Sequence, residues 1–267
     1  MPYRPINDRH AVREVVFALT FSRPFNLGEV EKLDTAHDIW KAELPKKSRA
    51  QYLQIAFGPT TEAASSPSVG GVRFERIKAD GSLDWRLGLE ENFIAVNCLS
   101  YTRWADIWAR ARSLLQQAAN VAVSEDNRTI GVGLQYIDVF VWEGDEGKCS
   151  PEQLLRRDSQ FIPPNLWGKG PVWHLYQGWF RYDHLPAPGR LLEKVHLDAV
   201  EENKQFLVKI DSTLRLDLET HVAAVPELFG GEPPLIDRIL DDLHQVNKRL
   251  VGGFLSDDMI HRINLYG

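Results

Sequence analysis

Two stretches, "LDTAHDIW" and "LDDLHQVN", each set an aspartate three residues ahead of a histidine: Asp34 with His37, and Asp241 with His244. On a helix that spacing puts both side chains on one face, the start of a metal pair or a proton relay. A zinc-type site needs a third ligand and usually a fourth. Neither HExxH, nor a DxDxDG loop, nor H-x-E with a later CxxC occurs. His37 falls inside an apolar stripe, which reads as a hydrogen-bonded core histidine. His244 stands beside Asp241 and Lys248, which reads as a structural ion pair. Nucleophilic chemistry fares no better. There is no GxSxG elbow, and Cys98 sits in an apolar strand pattern, as an inert thiol does. Ser212 has Asp211 and Asp217 nearby, with only His196, across a hairpin, as a candidate base. "GVGLQY" and "GGEPPL" match no phosphate loop. No metal site, no cofactor and no catalytic set is implied, so the reading leans away from an enzyme.

The densest chemistry is aromatic. "PVWHLYQGWFRYDH", residues 171–184, packs two tryptophans, two tyrosines, a phenylalanine and two histidines together. As a strand, it puts Trp173, Leu175, Gln177, Trp179 and Arg181 on one side and His174, Tyr176, Gly178, Phe180 and Tyr182 on the other. Rings on both sides mean that each side is covered, by the chain itself, a twin subunit, a partner or a ligand. Trp, Tyr and Arg are favoured interface anchors. The candidate binding residues are therefore Trp173, His174, Tyr176, Trp179 and Arg181, with Asp211 and Arg215 from a later strand.

Composition bounds the partners. With 267 residues, 43% apolar and 25% charged, the chain can bury a large core. Its apolar runs are strand-length, far below the ~20 residues of a spanning helix. The opening "MPYRPINDRHAVREVV" lacks a signal-peptide core, so a cytoplasmic location is expected. The two cysteines, Cys98 and Cys149, form no framework. The net charge of −6 arises entirely in residues 127–267, because residues 1–126 balance. That acidic half disfavours nucleic acid, and "KKSR" (46–49) reads as a solvated loop.

These residues need elements to hold them. "REVVFALTF" alternates as a strand covered on both sides. Asn26 and Glu29 form a capping box that opens a helix running to about Leu44, with Val30, Leu33, His37, Trp40 and Leu44 as its stripe. Four strands follow, "AQYLQIAFG", "GVRFERIKA", "SLDWRLGLE" and "NFIAVNCLS", with Asp80-Gly81 turning the middle pair and a loop at "TTEAASSPSVGG". A helix begins near Thr102. The strand "TIGVGLQYIDVFVW" opens a second round, Ser150-Pro151 starts a helix, three strands follow, and a last helix spans about Pro234 to Phe254. "VGG" at 251–253 signals an interruption or cap. The order repeats, and Glu90-Glu91-Asn92 echoes Glu201-Glu202-Asn203. The expected fold is α+β in two similar halves, 1–126 and 127–267, each a twisted antiparallel sheet with two helices on one face. The order resembles the duplicated sheet of the TATA-binding-protein fold.

Three motifs are similar to those of a sporadically distributed family of uncharacterised bacterial proteins of about this length: "VREVVFALTF" around Glu14, "NCLSYTRW" with Asn97, Tyr101 and Trp104, and "GLQYID" with Gln135, Tyr136 and Asp138. The closing "DDLH" helix, with Asp241 and His244, fits as well. Gln135 and Asp138 replace an arginine and an asparagine of the family pattern. The resemblance implies a bacterial cytoplasmic protein and, from its sporadic distribution, an accessory role such as immunity, toxin neutralisation or phage defence. Together these readings favour a non-catalytic binding protein that holds a protein partner or another copy of itself. The alternative is a small-molecule binder or enzyme with a pocket between sheet and helices, using His174, Tyr176, Asp211 and Arg215. No membrane contact is expected.

Overall fold

Strands form where apolar residues alternate, and helices where they recur every three or four positions. The computed structural model describes residues 2–49, 70–219 and 224–266. It shows a mixed α+β chain built on a large antiparallel sheet with few helices. In chain order, β1 (Tyr3–Pro5) and β2 (Val12–Phe21) lead to α1 (Leu27–Thr35). Strands β3 (Lys46–Arg49), β4 (Val72–Ile77), β5 (Leu83–Glu90) and β6 (Phe93–Cys98) precede α2 (Trp104–Ala122). Then come β7 (Thr129–Trp142), β8 (Trp173–Arg181), β9 (Gly189–Glu202) and β10 (Gln205–Leu218), followed by α3 (Val225–Phe229), α4 (Leu235–Phe254) and α5 (Asp257–Arg262).

Two compact units emerge, each drawn from separate segments: unit 1 from Met1–Val16, Gly133–Glu219 and Ile236–Gly267, unit 2 from Phe17–Val132 and Thr220–Leu235. Unit 2 runs β3-β4-β5-β6-β2 and carries α1, α2 and α3. Its α1 begins with the expected capping box: Asn26 Oδ1 accepts from the Glu29 amide at 3.0 Å, and Glu29 returns the bond to the Asn26 amide at 2.9 Å. Glu29 is buried, which would raise its pKa. Hydrogen bonds from Arg23, Ser124 and Asn26 overcome that and hold it at about 2. Unit 1 runs β7-β10-β9-β8, with β1 pairing β7, and carries α4 and α5. Its α4 buries Ile236, Leu240, Leu243, Leu250 and Phe254, the stripe expected from 3-4 spacing.

Several expectations need correction. Helix α1 stops at Thr35, whose hydroxyl bonds back to the Glu31 and Lys32 carbonyls, and a 3₁₀ turn, Ala36–Ile39, takes over. Trp40 and Leu44 are still buried. "KKSR" is no loop: it is β3, paired with β4 so that Lys46 lies opposite Glu75. At Ser150 a 3₁₀ turn, Pro151–Gln153, forms in place of the expected helix. Leu154 and Leu155 are both buried, and the chain runs across the end of α4, with the Arg156 amide on Phe254 O at 2.9 Å. "VGG" does not interrupt α4. A Cβ on Gly253 would come 2.4 Å from the Phe161 ring, so close packing demands that glycine, while one on Gly252 would displace the exposed Tyr266 hydroxyl. The strand expected at 50–58 lies outside the described residues, as does most of the loop after it.

The repeat echo also shifts. The β5–β6 hairpin turns on Glu91-Asn92, since Glu90 pairs with Phe93. The β9–β10 hairpin turns on Asn203-Lys204, since Glu202 pairs with Gln205. Both Asn203 and Lys204 have positive φ, as a two-residue type I′ turn requires. The two Glu-Glu-Asn triplets therefore sit one residue out of step.

Candidate functional site

Strands β8, β9 and β10 form two continuous hairpin ladders without a register break, from Trp173 opposite Ala199 to Arg181 opposite Leu191, and from Gln205 opposite Glu202 to Leu218 opposite Gly189. Because the side-chain period is two, this register sorts every candidate onto one of two faces. Toward α4 point Trp173, Leu175, Gln177, Trp179 and Arg181 of β8, Glu193 and Val195 of β9, and Ser212 of β10. The opposite face carries His174, Tyr176 and Phe180, then Arg190, Lys194, His196 and Asp198, then Asp211, Thr213, Arg215 and Asp217.

The inner face is tied down. Trp179 stacks on Phe161 with centroids 5.6 Å apart and planes 1° off parallel, and Gln177 Nε2 donates to Phe161 O at 3.0 Å. Arg181 Nε donates to the buried Glu193 carboxylate at 2.9 Å and lies 3.9 Å from Asp242. Between this face and α4 lies a cleft of about 380 Å³ lined by Phe161, Arg181, Glu193, Arg249 and Leu250.

The opposite face is open. Tyr176 is 63% exposed, Phe180 45%, Tyr182 69% and Val172 53%. Cations lie against two of these rings: Arg190 is 5.0 Å from the Phe180 centroid and Lys194 5.9 Å from that of Tyr176. His196 meets Tyr176 edge-on at 5.5 Å and His174 at 6.3 Å, and its Nε2 is 3.0 Å from Asp198 Oδ1. Asp211 accepts from Gln135 Nε2 at 2.8 Å, and Asp217 gathers Arg190 and Arg215 at 3.0 and 2.8 Å. Rings and paired charges therefore alternate across the surface, as in the anchors and rim of a protein interface.

The candidate set divides accordingly. Trp173, Trp179 and Arg181 belong to the half-buried inner face, whereas His174, Tyr176, Asp211 and Arg215 lie on the open one. A pocket between sheet and helix cannot use the last four, since they face away from α4; the cleft that does lie there draws on Arg181. Three residues outside the set join the open face or its rim: Phe180, Tyr182 and Val172. The two-residue period already grouped Phe180 and Tyr182 with Tyr176, but only strand pairing shows which side stays open.

The other chemistry-bearing residues resolve into structural roles. Ser212 is buried and donates to Asn247 of α4, while His196 is on the opposite face, so no triad forms. His37 Nε2 is 2.8 Å from Leu44 O, and its ring stacks on Phe74, as a core histidine. Asp34 pairs with Lys47 and Arg49. His244 shares a hydrogen bond of 2.9 Å with Tyr136 Oη, and burial first, then Lys248, lower its pKa to about 4. Asp138, two residues along β7, is buried, and that desolvation raises its carboxyl to about 7. Burial pushes the Cys98 thiol up to about 11, which makes it inert. Glu14 lies in β2, Asn97 in β6, Tyr101 just before α2 and Trp104 at its first turn, where the ring packs on Phe17 and Trp108. Among the described residues no group of three His, Cys, Asp or Glu could hold a metal, and no helix is long and apolar enough to cross a membrane. No protein-family model matches this sequence and no curated protein matches it, so the open face of β8–β10 rests on its own geometry.

Proposed function

We propose that this chain is a non-catalytic binding protein whose open β8–β10 face holds a protein, either a partner or another copy of itself. One observation carries the reading: four of the large apolar residues that unit 1 leaves exposed, Val172, Tyr176, Phe180 and Tyr182, fall within eleven residues of one strand and its flanks. Exposed rings gathered on one surface and interleaved with charge mark interaction sites. In the proposal the protein is bacterial and cytoplasmic, descends from a two-part duplication, and serves an accessory role in immunity, toxin neutralisation or phage defence. Support for that context is the family resemblance of its motifs.

Native mass spectrometry of the untagged protein from its own cells, paired with oxidative labelling of Tyr176 and Tyr182, tests the reading. The expected result is an assembly containing a second polypeptide or a second copy, with both tyrosines protected. A bare monomer with both rings fully labelled overturns it.

The cleft against α4 favours a second reading, a small-molecule binder. Its volume of about 380 Å³ is at the small end of ligand sites, which run from about 300 to 1,000 Å³. Glu193 already neutralises Arg181 there, which leaves Arg249 as the cation for an anionic ligand. A bound small mass, lost in Arg249→Ala, is the result that reading requires.

A further inference from the structure

Strand β8 ends the strand order of unit 1, so half of its backbone N–H and C=O groups point away from β9 with no strand beside them among the described residues. Protected edges are short, bulged, proline-bearing or lined with lysine. Strand β8 has nine residues, no proline, no lysine and no register break against β9. It is the kind of edge that pairs.

We propose that β8 pairs antiparallel with β8 of a second copy of this chain, about a two-fold axis at Gln177. This rests on the reading of the β8 surface as an interface and names its occupant. The strand is complementary to itself in that register. On the α4 side Trp173 meets the partner's Arg181, a cation over a ring, and Leu175 meets the partner's Trp179. On the open side Tyr176 lies opposite the partner's Gly178, where the missing side chain leaves room for the ring. His174 meets Phe180, and beyond the strand Val172 meets Tyr182, a β-branched residue against an aromatic one. Every apolar residue that this edge exposes thus gains a cross-strand neighbour, and the two sheets join into one. A two-fold contact is self-complementary by nature. Tyr176, Phe180 and Tyr182, each well exposed in the single chain, supply the apolar part of that seam.

The experiment uses the purified full chain alone. Sedimentation across about 1–100 µM should give twice the 30.4 kDa chain mass. Tyr176→Lys with Phe180→Lys, both at exposed positions, should raise the dimer Kd about a hundredfold or more by burying unpaired cations. Gln177→Cys should be linked between the two copies by a short thiol-to-thiol cross-linker, because directly opposed Cβ atoms lie about 4.5–5.5 Å apart. Thr213→Cys, on β10, should not. A monomer at the highest concentration, or a dimer indifferent to the two lysines, overturns the seam, and absence of the Gln177→Cys link overturns the two-fold pairing. If the pure chain is monomeric while the protein from its own cells carries a different polypeptide that protects Tyr176, the seam fails and the interface reading stands. If both samples are bare monomers, both fail.

Discussion

Among the described residues the strand order ends in β3 in unit 2 and in β8 in unit 1, and the two ends are built on opposite plans. The described residues of β3, Lys46–Arg49, read Lys-Lys-Ser-Arg, and Lys46 and Lys47 are exposed. Strand β8 is nine residues long and reads Trp-His-Leu-Tyr-Gln-Gly-Trp-Phe-Arg. Each is nonetheless tied in the same way, through a buried glutamate on the neighbouring strand. Glu75 of β4 holds Lys46 at 3.1 Å and Arg86 at 2.9 Å, and Glu193 of β9 holds Arg181 at 2.9 Å. The internal anchors are alike and the outward surfaces are not. The described residues of β3 carry charge, a feature that discourages pairing at an edge, whereas β8 carries rings and no lysine.

The contrast can be probed at four strengths. Phe161→Ala removes the ring under Trp179 and should cost about 3 kcal/mol. Amide exchange should quicken at 173–181 and stay unchanged at 46–49; equal quickening at both would mean that β8 is not held from within. Glu193→Ala and Glu75→Ala should each cost about 2 kcal/mol by stranding a partly buried cation. Chemical denaturation compares them, and a Glu193→Ala cost near zero would break the parallel between the two anchors.

Acid should separate the units. In unit 1 two groups oppose one another. Asp138, raised from 3.8 to about 7, binds its proton more tightly when folded, so its contribution grows as pH falls from 7 toward 4. His244, lowered from 6.5 to about 4, resists a proton that the unfolded chain accepts, so its contribution shrinks over much of that window. The wild type should be nearly flat there, and Asp138→Asn should unmask a loss of about 1 kcal/mol per pH unit as pH falls from 6.5 to 4. Near β3, Asp34 is held low by Arg49 and Lys47, and Glu75 by Lys46 and Arg86 against its burial. Their stabilisation is full above the unfolded carboxylate values and is lost as pH falls through the lower folded ones. Exchange at β3 should therefore accelerate only in stronger acid, and acceleration above pH 5 would contradict these ion pairs. The smallest effect is expected for Lys46→Val with Lys47→Val, which should cost about 1 kcal/mol, because Arg86 and Arg49 still hold Glu75 and Asp34. It should, however, make the β3 edge associate, read by light scattering.

How far the sequence foretold this depended on whether a signal was local. Strands β7, β9 and β10 and helix α4 carry long unbroken periods, and each lies within about two residues of where its pattern placed it. Strand β3 carries no apolar alternation, because a charged edge has no core side to mark, and so it read as a loop. Ser150-Pro151-Glu152-Gln153 has every local sign of a helix start, yet Leu154 and Leu155 are wanted side by side against the end of α4. Gly252 and Gly253 looked like a cap because only the fold brings Tyr266 and Phe161 onto them. At the site, ring content pointed to the right strand. Which of its two sides stays open is settled by pairing with β9 and by Phe161, neither of which leaves a mark within residues 171–184.

Unit 1 gathers three stretches of chain, and Arg262 Nη1 donates to Tyr3 O at 3.0 Å across 259 positions. On a ribosome adding about 5–20 residues per second, the first of those partners waits on the order of 13–50 s for the second. Strand β8, made in between, must spend part of that interval with its rings bare and its own helix α4 not yet made. Rings that the finished chain holds on one edge are thus bare for part of synthesis, when neighbouring nascent chains on one message are the first copies they meet.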